Sequence, residues 1–223
     1  MVAFGDTAKI ERFKYKTELS FSNTERVYSK MITKNQSKVL KFLATGSYSE
    51  NYINNIAKEC DLAVSGSKWI LNNLEKQDVI KHEDIGNMKS FTINFNEKSI
   101  NTLSLAYSSE LDNKMENRFR ELEPLKEIAK IAMIFGSYLN KKDPNDMDIL
   151  FVLDKKDYKK FNETLNEIRH IVPVKIHDII QTKEDLIQNI KNKDKIVIEA
   201  LRNGTLLWGN KYLVEVLENA NKR

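Results

Sequence analysis

Asp146 and Asp148 stand two residues apart at the mouth of the apolar run DMDILFV, eight residues beyond the Gly136-Ser137 pair that closes another apolar run, IAMIF. Side chains alternate faces along a strand, so both carboxylates project from one face, about 7 Å apart. Two like charges that close repel each other unless a cation lies between them. Oxygen ligands with no sulfur or imidazole among them select Mg or Mn over zinc. Gly136 lets a phosphate approach the backbone, and Ser137 adds a hydroxyl and an amide at the start of a short helix. An anion cradle beside a divalent-metal site is equipment for phosphoryl or nucleotidyl chemistry. A solvated strand end is the plainer alternative. An EF-hand loop is not one, because Met147 and Asp148 stand where that loop needs a ligand and a glycine.

These groups need elements to hold them. IAMIF and DILFVL read as short buried strands joined through the Gly-Ser turn, and residues 174–180 as a third strand, with helices expected at 156–170 and 183–193. Upstream, helical spacing runs through residues 37–44, 50–60 and 67–77. Two strand-like runs, VIKHED and KSFTIN, follow, with Gly86-Asn87 as the hairpin turn between them. Residues 97–122 carry Leu103, Tyr107, Leu111, Met115 and Phe119 at intervals of four without Gly or Pro. That spacing predicts one long connecting helix and a seam for a homodimer. Glu123-Pro124 reads as a helix start, and the period-two run FKYKTELSF at 13–21 as a half-buried strand.

The chain has 223 residues, enough for one large domain or two small ones. With 41% apolar and 30% charged residues, it has the composition of an ordinary globular protein with a heavily charged surface. No apolar run approaches the ~20 residues of a spanning helix, and residue 1 onward lacks a signal-peptide core, so no membrane partner and a cytoplasmic address are expected. A single cysteine, Cys60, rules out an intrachain disulfide and a cysteine-rich zinc site, and reads as a small buried apolar residue. The net charge is +4, tilted toward residues 1–41, where nine Lys/Arg face four Asp/Glu. That tilt suits a polyanion or a solvated basic surface equally.

Three helices and a hairpin in that order resemble a winged helix-turn-helix domain over residues 35–95. The run AKECDLAVSGSKWILNNLEKQDVIKHED is similar to the turn, recognition helix and wing of multiple-antibiotic-resistance-type and related archaeal regulators. Asp78 stands where such proteins often carry Gly, and Asp tolerates a left-handed helix cap. The resemblance implies double-stranded DNA as partner, with Lys68, Trp69, Asn72 and Asn73 facing the groove and Lys81 and Lys89 on the wing facing phosphate. A protein-binding role for this module is the alternative, because Lys68 and Lys76 are the recognition helix's only cations.

From about residue 125 to 217 the chain resembles the DNA polymerase beta-like nucleotidyltransferases, most closely their minimal branch. The shared pattern is an apolar strand, Gly-Ser, a spacer, and Asp-x-Asp opening a second strand, here IFGS, eight residues, DMDILFV. EALRNGTLLWG is similar to the family's tail. The resemblance implies an α/β (α+β) domain with a mixed sheet flanked by helices and two Mg or Mn ions on Asp146 and Asp148. It implies an NTP substrate held by Gly136 and Ser137 with Lys141, Lys142 and Lys175, and a protein or small-molecule hydroxyl as acceptor. One departure matters: active members carry a third carboxylate on the next strand, and here PVKIHDII aligns Lys175 with it. Asp178 falls on the opposite face. His177 shares the Lys175 face and reads either as a substrate contact or as a satisfied structural histidine. Two functions follow: a metal-dependent nucleotidyltransferase with a DNA-binding module, or a winged-helix regulator whose second domain only binds nucleotide or a partner. The expected organisation is an extension at 1–34, a winged helix at 35–96, a connector at 97–122 and a nucleotidyltransferase-like domain at 123–223.

Overall fold

The computed structural model describes residues 32–46, 50–108 and 113–222. The run at 13–21 lies outside them. The N-terminal part is three helices and a hairpin: α1 (Lys34–Thr45), α2 (Ile53–Glu59), α3 (Val64–Lys76), β1 (Ile80–Ile85) and β2 (Met88–Ile93). This is the winged-helix arrangement. Thr33 and Gln36 form a capping box at the start of α1. Helix α3 starts three residues before the expected boundary, taking in Val64, Ser65 and Gly66. It ends where Asp78 takes the left-handed conformation, φ 61°. That cap is braced from behind the wing, since Asn94 and Asn96 donate to the Asp78 carboxylate at 2.8 and 3.1 Å. The wing turns through Gly86, φ 58°, in a two-residue, glycine-first hairpin.

The single connecting helix expected over 97–122 is two helices, α4 (Glu97–Tyr107) and α5 (Asn113–Leu122). The chain changes cores between them. Leu103 and Tyr107 are buried with the winged helix, whereas Met115 and Leu122 are buried with the second half. Ser108 ends α4 in extended backbone, and Asn210 donates to the hydroxyls of Ser104 and Ser108 at 3.0 and 3.1 Å, fixing the break. The described part of the apolar stripe thus faces the protein's own interior, and it is not free to form the dimer seam expected of one long helix.

The second half has β3 (Ala129–Phe135), the one-turn α6 (Ser137–Asn140), β4 (Asp146–Leu153), α7 (Tyr158–Arg169) and β5 (Lys175–Gln181). Helices α8 (Lys183–Lys191) and α9 (Lys195–Asn203), strand β6 (Thr205–Trp208) and α10 (Asn210–Asn221) complete it. The sheet order is β5-β4-β3-β6, with β4 and β5 parallel and the other pairs antiparallel. Alternation along the strands splits the interior in two. Ala132, Ile134, Ile149 and Phe151 face α5 and α7, whereas Ile131, Met133, Phe135, Leu150 and Val152 face α8, α9 and α10.

Residues of α1, α3 and the wing belong to that second cluster, so the winged helix and the sheet share one core. The polar contacts agree. Helix α1 has no basic residue in its last turn. Its final carbonyls are met from the other half, Ala44 O by Asn221 at 2.9 Å and Thr45 O by Lys193. Arg202 donates to Thr45 Oγ1 at 3.0 Å and lies 4.3 Å from the Phe42 ring centroid.

Candidate active site

The site is built where β3 ends and β4 begins. Gly136 follows the buried Phe135 with φ 73° and ψ −151°, a conformation that suits glycine alone. A Cβ here would lie 2.7 Å from Asp148 Oδ2. The glycine therefore serves two ends: it makes the turn into α6, and it lets a carboxylate of the neighbouring strand rest against the backbone.

Helix α6 is a single turn opened by Ser137, and it is held from outside the motif. Lys114 of α5 donates to Tyr138 O at 2.8 Å and reaches Lys141 O at 3.4 Å, with its ammonium 4.0 Å from the Tyr138 ring centroid. A cation at these last carbonyls neutralises the end of the turn. Sequence reasoning missed Lys114, which stands 24 residues from Tyr138 on an element expected to be a bare connector.

Asp146 and Asp148 open β4 as the spacing predicts, on the sheet face that also carries Leu150 and Val152. Their side chains are 42% and 35% exposed, open enough to take a ligand from solvent. Across the parallel pairing, Asp146 is in register with Lys175 and Asp148 with His177. The sequence alignment of Lys175 beside the carboxylates is thus the register found. His177 is no buried structural histidine: it is 42% exposed, with Nδ1 3.4 Å from Asp148 Oδ1 and 4.0 Å from Asp146 Oδ2. Asp178 faces the other way and pairs with Arg169 at the end of α7. Lys141, Lys142 and Lys175 are all exposed, the first two in the segment between α6 and β4.

Among the described residues no three His, Cys, Asp or Glu side chains close around one point as a metal cage. The donor set still fits Mg or Mn, which are held by one or two carboxylates together with substrate phosphates and water.

On the winged helix, Lys68, Trp69 and Asn72 are exposed along α3, Trp69 by 63%, while Asn73 is half-buried. Lys81 is exposed on β1, and Lys89 on β2 lies 2.9 Å from His82 Nε2. His82 in turn contacts Glu75 of α3 through Nδ1, tying the wing to the recognition helix. Residues 61–93 contain four lysines and five Asp/Glu, so this surface is not strongly basic.

Residues 116–210 match the family model described as polymerase beta, nucleotidyltransferase. The match begins within α5 and runs through β3 to β6, so the C-terminal half carries a nucleotidyltransferase domain of that type. No curated protein matches the chain. Two solved structures of Staphylococcus aureus MepR are similar to it at 14% identity, each of a single-residue mutant. The first, a glutamine-to-proline mutant from a multidrug-resistant clinical isolate, aligns over 74% of this chain and 96% of its own, with a TM-score of 0.34. The second, a glycine-to-lysine mutant, aligns over 75% and 98%, with a TM-score of 0.32. Disulfide-formed AbfR shares 21% identity over 55% of this chain and 97% of its own, with a TM-score of 0.28. No helix among the described residues is long and apolar enough to cross a membrane.

Proposed function

We propose that the protein is a metal-dependent nucleotidyltransferase that moves a nucleoside monophosphate from an NTP to a hydroxyl of a protein or small-molecule acceptor. The observation that carries this reading is the placement of Asp146 and Asp148 on one sheet face, with the Gly136 backbone against the Asp148 carboxylate, inside the matched segment. Asp146 and Asp148 would hold Mg or Mn, which when bound supplies charge neutralisation for the triphosphate and the leaving pyrophosphate.

The chain's own residues do the rest. Gly136 and the Ser137 amide and hydroxyl present donors to phosphate oxygens without side-chain obstruction. Lys114 keeps α6 in place from behind. Lys141, Lys142 and Lys175 surround the mouth with positive charge that draws and orients the polyphosphate. His177, in contact with both carboxylates, offers an imidazole nitrogen to the acceptor hydroxyl where the family's third carboxylate is missing. The winged helix would bring this chemistry to duplex DNA, with Lys68, Trp69, Asn72 and Asn73 toward the groove and Lys81 and Lys89 toward phosphate.

The pairing of Asp146 with Lys175 favours a second reading, in which the domain binds nucleotide and transfers it slowly or not at all. Incubation with α-labelled NTP and Mn separates the two. Label appearing on the protein or on a co-purifying acceptor supports transfer. Tight nucleotide binding with no label moved supports the sensor.

A further inference from the structure

Strand β5 forms one edge of the sheet, and it is the strand that sets Lys175 and His177 beside the carboxylates. Lys175 N donates to Asn145 O at 3.1 Å, which fixes the phase of its main-chain groups. Lys175, His177, Ile179 and Gln181 turn theirs toward β4, whereas Ile176, Asp178 and Ile180 turn theirs outward. Ile176 is closed off, at 4% exposure. Asp178 and Ile180 are half-buried, and no hydrogen bond from a described residue meets their outward N–H and C=O groups. An edge with unpaired main-chain groups and apolar residues, here Ile179 and Ile180, is a template for a further strand.

What such an edge selects is another extended backbone. An added strand lies ~4.8 Å beyond β5 and puts every second side chain on the face that carries Asp146, Asp148 and His177. Because the main chain of His177 is turned to β4, the residue opposite it in an antiparallel addition sits in a non-hydrogen-bonded pair, with Cα atoms about 4.5 Å apart and side chains close. Ile179 is half-buried on the same face, so the next side chain of the added strand on that face meets an apolar surface. The site itself is open: Asp146 and His177 are 42% exposed and Asp148 35%. An open shelf suits a segment of a larger partner, whereas small molecules are held in concave sites that bury most of the ligand.

We propose that the acceptor is an extended polypeptide segment that adds to β5 as an antiparallel strand, with Ser, Thr or Tyr opposite His177 and an apolar residue opposite Ile179. Asp178 and Ile180 each exchange two main-chain hydrogen bonds with it. The acceptor role rests on the transfer reading above, whereas strand addition does not. In the transfer, the hydroxyl oxygen bonds to the α-phosphorus and the bond from that phosphorus to the oxygen bridging to the β-phosphate breaks. Pyrophosphate leaves with the bridging oxygen, and the hydroxyl proton passes to the His177 imidazole.

The test uses the full chain and a library of short peptides, each with Ser, Thr or Tyr at its centre and an apolar residue two positions before it. Without metal, bound members should slow hydrogen exchange at the Asp178 and Ile180 amides, read by NMR. N-methylating the peptide amides that face β5 should weaken binding at least ~10-fold, and methylating the intervening ones should not. Asp178→Pro should bind at least ~5-fold more weakly than Asp178→Ala, because both lose the pair with Arg169 and only proline removes the outward N–H. If Asp178→Pro fails to fold, the methylated peptides decide the matter on the wild type. With α-labelled NTP and Mn, label should pass to the central hydroxyl of a bound peptide. Strand addition is overturned if no peptide protects these amides, if methylated peptides bind equally, or if the amides are already protected in the peptide-free protein, its edge held by a second copy or by the chain itself. Label on glycerol but never on a bound peptide would overturn the acceptor role and leave transfer standing. Label on neither, with peptide bound at β5, would strike transfer and the acceptor role together.

Discussion

His177 Nδ1 lies 3.4 Å from Asp148 Oδ1, on the strand that runs parallel to the one bearing both carboxylates. An imidazole therefore stands beside the pair, two residues along β5 from Lys175. Replacing it should cost rate more than binding. His177→Ala is expected to lower transfer by about 10²-fold, the lower end of what a positioned proton acceptor contributes. Metal-nucleotide affinity should change by only a few-fold, measured by calorimetry beside single-turnover kinetics. A large loss of affinity with little change in rate would assign His177 to binding.

Lys175 is in register with Asp146. Lys175→Asp would put a carboxylate on the face that already carries Asp146 and Asp148, adding an oxygen donor. Tighter Mn binding and faster transfer of α-labelled NMP are expected. Slower transfer with weaker NTP binding would mean that the ammonium itself holds the polyphosphate.

Much of this site is legible in the sequence because its rules are local. Strand alternation put Asp146 and Asp148 on one face and Asp178 on the other, and the register of β4 with β5 agrees. The left-handed turn at Asp78 was likewise readable from residue type. What escaped was non-local. Nothing in the spacing of Leu103, Tyr107, Met115 and Phe119 says that the stripe divides between two cores, since a helix that changes partners keeps its period. Lys114 shares no motif with the turn it braces. The role of His177 was open because a strand histidine's exposure depends on how far the covering helices extend, which alternation does not encode.

If the winged helix lies on duplex DNA, its charge supports only a modest electrostatic contribution. Lys68, Lys76, Lys81 and Lys89 reaching phosphates would give a slope of log affinity against log salt no steeper than about −3.6. Lys68→Ala should weaken a selected site and flatten that slope by about one. Both can be read by fluorescence anisotropy across salt concentrations. No duplex binding at low salt after selection from random sequence would move the module to protein recognition.

Burial pushes the Lys41 ammonium of α1 down to about 8 from its ordinary 10.5. Between those values the unfolded chain holds more protons than the folded one, so stability rises with pH. Burial also pushes the Cys60 thiol up to about 11 from 9.0, which works against stability once pH passes 9. The gain from Lys41 should therefore appear as a rising melting temperature between about pH 8 and 9, and Lys41→Met should remove that slope. Because α1 shares its core with the sheet, each melt should be a single transition, in scanning calorimetry and in circular dichroism alike.

Calorimetric titration with a non-hydrolysable NTP and Mn reads out whether Asp146 and Asp148 hold a metal-nucleotide. The wild type should bind. The Asp146→Asn, Asp148→Asn variant should not, while melting at or above the wild-type temperature because two like charges have been removed. Equal affinity in the folded double variant would contradict the account.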